Sequence, residues 1–96
     1  IHFLLPAGDS SAWHKVASDE LWLAHSGAVS LQRGGSGDVP VDGDSVVVGL
    51  DLAAGQQTQS LVPAGEWQRT LPSDGDALVS CLVSPGFDFA DFDLAP

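Results

Sequence analysis

The sequence predicts an all-β sandwich or barrel, and three observations carry that prediction. No stretch of ten or more residues keeps the i, i+3, i+4 apolar spacing of an amphipathic helix. Short apolar runs recur instead at spacings near ten residues, which favours antiparallel neighbours with short connections. Between the runs stand clusters of Gly, Pro, Asp and Ser, the residues that close turns.

Taken in order, the first predicted strand is Ile1–Leu5, closed by the turn Pro6-Ala7-Gly8-Asp9. Ser11–Val16 follows and leads through Ala17-Ser18-Asp19 into Glu20–Ser26, which reads as a returning hairpin strand. Ser26-Gly27 then turns the chain into Val29–Gln32. Arg33 to Asp44 holds four glycines, a proline and three aspartates, and reads as a long exposed hairpin loop before Ser45–Leu50. The turns Ala53-Ala54-Gly55, Pro63-Ala64-Gly65 and Pro72-Ser73-Asp74-Gly75-Asp76 separate the strands Gln59–Val62, Trp67–Thr70 and Ala77–Ser84. Phe87–Phe89 and Phe92–Leu94 are expected as short terminal strands. The run Gly34-Gly35-Ser36-Gly37 lacks the Lys-Ser/Thr ending of a phosphate cradle and precedes no helix, so it is expected to be a flexible hairpin tip.

At 96 residues the chain suffices for one domain, expected over residues 1–96, and its core is modest enough that a partner subunit would help. Because it opens on Ile1-His2-Phe3-Leu4-Leu5 with no initiator Met, an N-terminal segment of a longer protein is expected to be absent. Thirteen acids against three scattered bases, Lys15, Arg33 and Arg69, give a formal charge of −10. Such a surface repels phosphates and anionic headgroups, which argues against nucleic-acid and membrane partners. Apolar runs fall short of the roughly 18 residues that span a bilayer. Cys81 is the sole cysteine, so no intrachain disulfide forms, and no signal-peptide pattern stands at the start. A cytoplasmic protein is the resulting expectation.

The chemistry concentrates between Gly8 and Gly27. Side chains alternate along a strand, so His14 shares a face with Val16, and Glu20 shares one with Trp22. With Ala17-Ser18-Asp19 turning a hairpin, His14 and Glu20 meet inside the barrel, and Gln68 on a distant strand faces them from the opposing sheet. A buried imidazole and carboxylate must hydrogen-bond each other, a metal or a ligand. Trp22 adds an aromatic wall suited to stacking. His25 has the opposite alternation and is expected to face outward, Trp13 and Trp67 to build core or interface, and Cys81 to be inert packing.

The spacing Gly8, five residues, His14, then Val16, Glu20 and Gly27 resembles the first cupin motif, with Val16 at the place of the second His. Pro63-Ala64-Gly65-Glu66-Trp67-Gln68 resembles the second motif, with Gln68 at its His and Pro72 at its Asn, and Gly55 two residues too far upstream. The strings Phe3-Leu4-Leu5, Ser11-Ala12-Trp13-His14, Ser18-Asp19-Glu20-Leu21-Trp22, His25 with Gly27, Leu52-Ala53-Ala54-Gly55, Val62-Pro63-Ala64-Gly65, Trp67-Gln68 and Val83-Ser84-Pro85-Gly86-Phe87-Asp88-Phe89-Ala90-Asp91-Phe92 resemble cupin family five, domain of unknown function 985. In that branch Val at position 16 and Gln at position 68 are ordinary. The resemblance implies a double-stranded β-helix, that is a jelly-roll β-barrel, commonly a homodimer, with a pocket shaped like that of sugar-nucleotide epimerases. It implies no particular activity.

Three functions are compatible with these residues. The first is a module binding a small molecule through His14, Glu20, Trp22 and Gln68. The second is a metal-independent epimerase or isomerase acting on a sugar or small carbonyl compound, with His14 as base and Glu20 tuning it. The chain contains no tyrosine to serve as the phenolic acid of related epimerases. The third is a metal-dependent cupin isomerase or oxygenase, with a divalent metal held by His14, Glu20 and Gln68. That donor set is weaker than three histidines or two histidines and a carboxylate.

Overall fold

The computed structural model describes residues 2–84 and 92–95. Their strands are β1 (His2–Leu5), β2 (His14–Val16), β3 (Asp19–Ser26), β4 (Ala28–Arg33), β5 (Ser45–Gly49), β6 (Gln59–Val62), β7 (Gln68–Leu71), β8 (Ala77–Ser84) and β9 (Phe92–Leu94), with a 3-10 turn over Leu52–Ala54. β6 and β8 lie at their predicted bounds. β2 is shorter than the predicted Ser11–Val16, because Ser11 is held by its side chain instead of the ladder. Its hydroxyl accepts the Thr70 N–H at 2.8 Å, and its own N–H donates to Thr70 Oγ1 at 2.8 Å. The predicted strand Phe87–Phe89 lies outside the described residues.

Pairing is nested. β1 pairs with β8, β2 with β7, β3 with β6 and β4 with β5, each antiparallel. The pairs β3–β8 and β4–β7 then join these ribbons side by side, and β9 adds to β2. One sheet has the order β1-β8-β3-β6, and the other β5-β4-β7-β2-β9. This is a long hairpin rolled into two facing layers, a jelly roll.

The rolling corrects one expectation. β2 and β3 do not form a hairpin but belong to opposite sheets, so Ala17 and Ser18 make a corner between layers. The corner is fastened to the turn before β7: Gly65 N–H donates to Val16 O at 2.8 Å, and Ala64 N–H to Asp19 Oδ1 at 2.8 Å. Gln68 is correspondingly not distant from His14 but directly opposite it on the neighbouring strand.

Alternation along the strands fills the space between the sheets with Trp22, Val29, Leu31, Val48, Val62, Ala77, Val79 and Cys81. Each buried Val or Leu contributes about 1.5–3 kcal/mol relative to an exposed one, so this apolar cluster is the main support of the fold. The outer face of the four-stranded sheet carries Leu4, Leu61, Leu78 and Leu82, all exposed. His25 also faces outward there, at a bulge in β3, where its Nε2 meets the Ser80 hydroxyl and its ring lies 4.9 Å from that of His2.

The β4–β5 loop is not a free tip. Gly34 is buried, its N–H donates to Trp67 O at 2.8 Å, and Gly35 O accepts the Trp67 N–H at 2.8 Å. The Trp67 indole N–H reaches Gly37 O at 2.9 Å. A Cβ at Gly34 would stand 2.7 Å from the Trp13 ring, so only glycine lets the loop lie this close. Lys15 over Trp67 and Arg69 over Trp13 cover the same outer face, with the cations 4.9 and 4.4 Å from the ring centroids. The apolar ring faces reward docking the loop more than its hydration does.

Candidate functional site

β3 places Glu20 and Trp22 two residues apart on the inner face of the four-stranded sheet, and β7 places Gln68 on the inner face of the other. Three hydrogen-bonding groups therefore meet across the gap between layers. The Trp22 indole N–H donates to Gln68 Oε1 at 2.8 Å, and Gln68 Nε2 donates to Glu20 Oε1 at 2.7 Å. An indole N–H can only donate, so the amide oxygen must face Trp22 and the amide nitrogen must face the carboxylate. The orientation of Gln68 is fixed by its neighbours. It is 0% exposed, Trp22 2% and Glu20 9%.

Cys81 completes this cluster. It stands opposite Trp22 on the β3–β8 ladder, on the inner face, and its thiol hydrogen-bonds the Glu20 carboxylate. Burial pushes the thiol pKa far up, and the charge and hydrogen bonding of Glu20 push it further the same way. The group is a stable S–H donor and not a nucleophile. The sequence reading of Cys81 as packing was right about burial and missed the contact with Glu20. Alternation puts Cys81 inward, but only the β3–β8 register sets it beside Trp22 and Glu20.

His14 lies beside this trio. It is half-buried, on the same face of the five-stranded sheet as Val16, and pairs with Gln68 in the ladder. Its Nδ1 lies 2.9 Å from Ala12 O. A carbonyl accepts only, so Nδ1 carries the proton in this contact. The structure thus brings Glu20, Gln68 and Trp22 into direct contact and sets His14 adjacent to Gln68. Gln68 joins the two sheets through side chains.

The electrostatics are those of an acceptor-rich site. The two ion pairs among the described residues, Arg33–Glu66 and Arg69–Asp42, involve other carboxylates. Glu20 is held by neutral donors. Among the described residues no group of three His, Cys, Asp or Glu side chains stands together as a metal site. The third metal donor considered from the sequence, the Gln68 carbonyl oxygen, already accepts the Trp22 N–H. One lone pair of that oxygen is therefore taken, and the Glu20 carboxylate is held by Gln68 Nε2 at 2.7 Å, so His14, Glu20 and Gln68 are a poor fit to a metal as arranged.

A family model described as the cupin superfamily (DUF985) matches residues 1–95. Among curated proteins none matches the chain. A protein of Shewanella oneidensis with a solved crystal structure is 39% identical, with a TM-score of 0.83 over 97% of this chain and 58% of that one. A hypothetical protein from Leishmania major is 31% identical, with a TM-score of 0.82 over 96% of this chain and 61% of that one. A dTDP sugar isomerase from Desulfovibrio desulfuricans shares the fold at 16% identity, with a TM-score of 0.81 over 100% of this chain and 62% of that one. The chain thus spans about three-fifths of the length of these solved structures.

Proposed function

Because the chain belongs to the cupin superfamily, in its family five (DUF985), we propose that it binds a small polar molecule between its sheets, at the end where β3 begins. The observation that supports this most is Glu20, a carboxylate nine-tenths buried and held by the neutral donors Gln68 and Cys81. Burying such a group costs several kcal/mol if only stability is at stake, and functional sites are where that cost recurs. In this reading Glu20 and His14 meet the ligand. Gln68 and Trp22 stand behind them and keep the carboxylate oriented.

The test is isothermal titration of sugars and small acids against the wild-type chain, His14→Gln and Glu20→Gln. Binding that falls at least about tenfold in both variants, with their folds intact by circular dichroism, supports the site. Binding unchanged in both removes it.

A metal-independent isomerase is the second reading, and it is supported by the place of His14, directly across the ladder from the Gln68 that holds the buried Glu20 carboxylate. A ligand recovered unchanged after long incubation with the enzyme would leave binding alone. A homodimer is proposed as well, supported by the exposed leucines on the outer face of the four-stranded sheet. Sedimentation equilibrium that returns only monomer would end that idea. No helix among the described residues is long and apolar enough to cross a membrane. A cytoplasmic location is our proposal, and fractionation of the native source checks it.

A further inference from the structure

We infer that a second copy of this chain docks on the outer face of the four-stranded sheet, and that a histidine pair at the middle of that face weakens the contact in acid. The inference rests on the homodimer proposed above and adds its surface and its regulation.

Alternation along the strands sorts this face into rows. Leu21, Leu61 and Leu82 lie side by side across β3, β6 and β8, and Leu4 faces Leu78 across β1 and β8. Between these apolar rows His2, Ser80 and Leu23 are neighbours. His25 reaches the same spot from the bulge in β3, with its Nε2 at the Ser80 hydroxyl and its ring 4.9 Å from that of His2. Both imidazoles are exposed. Leu4, Leu61, Leu78 and Leu82 are exposed too, and leave on the order of a few hundred Å² of apolar surface, a size that commonly marks an interaction site.

The charges of the chain stand elsewhere. Among the described residues the face carries no lysine, arginine or glutamate, and its carboxylates lie at the margins. Asp19, the first residue of β3, accepts the Ala64 N–H at 2.8 Å, and Asp76, just before β8, accepts the Ala7 N–H at 2.8 Å. β6 contributes Gln59 and Leu61, neither of which titrates. A two-fold contact sets a surface against itself. Two copies of formal charge −10 therefore meet with least repulsion on this uncharged face, where leucine packs on leucine.

Histidine is the side chain that changes charge between about pH 5 and 8. The Ser80 hydroxyl donates to a neutral ring and accepts from a protonated one, so it opposes neither state of His25. Charging both rings places two cations from each copy inside an apolar contact, with no carboxylate among the described residues beside them. Burying unpaired charge is costly, so the copies separate. The overall charge predicts the opposite sign. Protonating all three histidines adds three positive charges to −10, leaving −7, and eases the long-range repulsion. Weakening in acid therefore reports the histidine pair.

Sedimentation equilibrium at about pH 8 and about pH 5.5, in about 0.15 M salt, tests the inference, with circular dichroism confirming the fold at both. The wild-type dimer dissociation constant should rise at least about tenfold in acid. The double variant His2→Gln, His25→Gln should show no such rise, and Leu82→Asp should be monomeric at both pH values. His2→Gln alone changes an exposed ring and should show a reduced rise, which decides the question should the double variant fail to fold. A wild-type dimer as tight or tighter in acid, yet lost in Leu82→Asp, overturns the pH dependence and leaves the homodimer standing. Weakening that persists in the histidine variants does the same. A dimer that survives Leu82→Asp overturns the choice of face. Monomer alone at both pH values overturns the homodimer reading itself.

Discussion

Gln68 is the residue on which the polar interior turns. Replacing it with Leu would strand the Trp22 N–H and one Glu20 oxygen inside the sandwich. Each unsatisfied buried group costs about 1–3 kcal/mol, so Gln68→Leu should lower unfolding free energy by about 2–5 kcal/mol in urea titrations. A loss below about 1 kcal/mol would mean water or a rotamer change replaces the amide. Cys81 gives a pH signature. Its thiol pKa is raised in the folded state, so the native chain holds the proton where the unfolded chain releases it. The stabilisation is complete below the ordinary thiol value of 9.0 and is lost as pH rises from there. Wild-type stability should fall by about 1.4 kcal/mol per pH unit more steeply than that of Cys81→Ala above that value. Parallel curves for the two proteins would refute the burial and Glu20 contact. These residues were legible to different degrees in the sequence. Alternation put Glu20 and Trp22 on one face, and the cupin resemblance singled out His14 and Gln68. That Gln68 would be saturated by Trp22 and Glu20 depends on which sheets face each other, which spacing along the chain does not encode.

At the scale of elements, the β4–β5 loop is where local reading and tertiary structure part. Glycine richness reads as flexibility, yet Gly34 is glycine because two tryptophans leave no room for a Cβ. Gly34→Ala should destabilise by about 1–3 kcal/mol through that overlap, with a shift in tryptophan fluorescence from Trp13. At Gly75, where an added Cβ meets nothing within 4 Å, Ala should be neutral or stabilising by up to about 1 kcal/mol. Equal losses at both positions would show that the overlap with the tryptophans is not what Gly34 avoids. The corner at Ala17 and Ser18 makes the related point. A Ser-Asp turn between two strands is compatible with a hairpin or with a step between layers, and the partners Val16–Gly65 and Asp19–Ala64 settle it from far along the sequence. Strand positions, by contrast, came through because apolar alternation is a local signal.

For the whole molecule, thirteen acids and three bases make self-repulsion a standing cost, concentrated outside because the interior holds one carboxylate among the described buried residues. Raising salt from about 20 mM to about 0.5 M should raise Tm by several degrees, because screening at these concentrations shortens the reach of surface charge from ~20 Å to ~4 Å. A flat response would place the repulsion in the unfolded chain as much as in the folded one. Treatment with a chelator should leave Tm unchanged, since the Gln68 oxygen is turned toward Trp22 and not toward a cation. A drop of more than about 5 °C would reveal a metal that this donor geometry does not explain.

The nested pairing also sets how the chain reaches its native state. β4 and β5 are neighbours in sequence and can zip early, whereas β1 finds β8 only after nearly all the intervening chain has been organised. Loop-closure entropy then favours growth outward from the central ribbon, and all-β chains of this topology fold in roughly milliseconds to seconds. Lesions in β4 or β5 should slow refolding in stopped-flow traces, and lesions in β1 should chiefly hasten unfolding. The last ribbon to close is also the first to open, so hydrogen exchange should begin along β1 while the β4 amides are still protected.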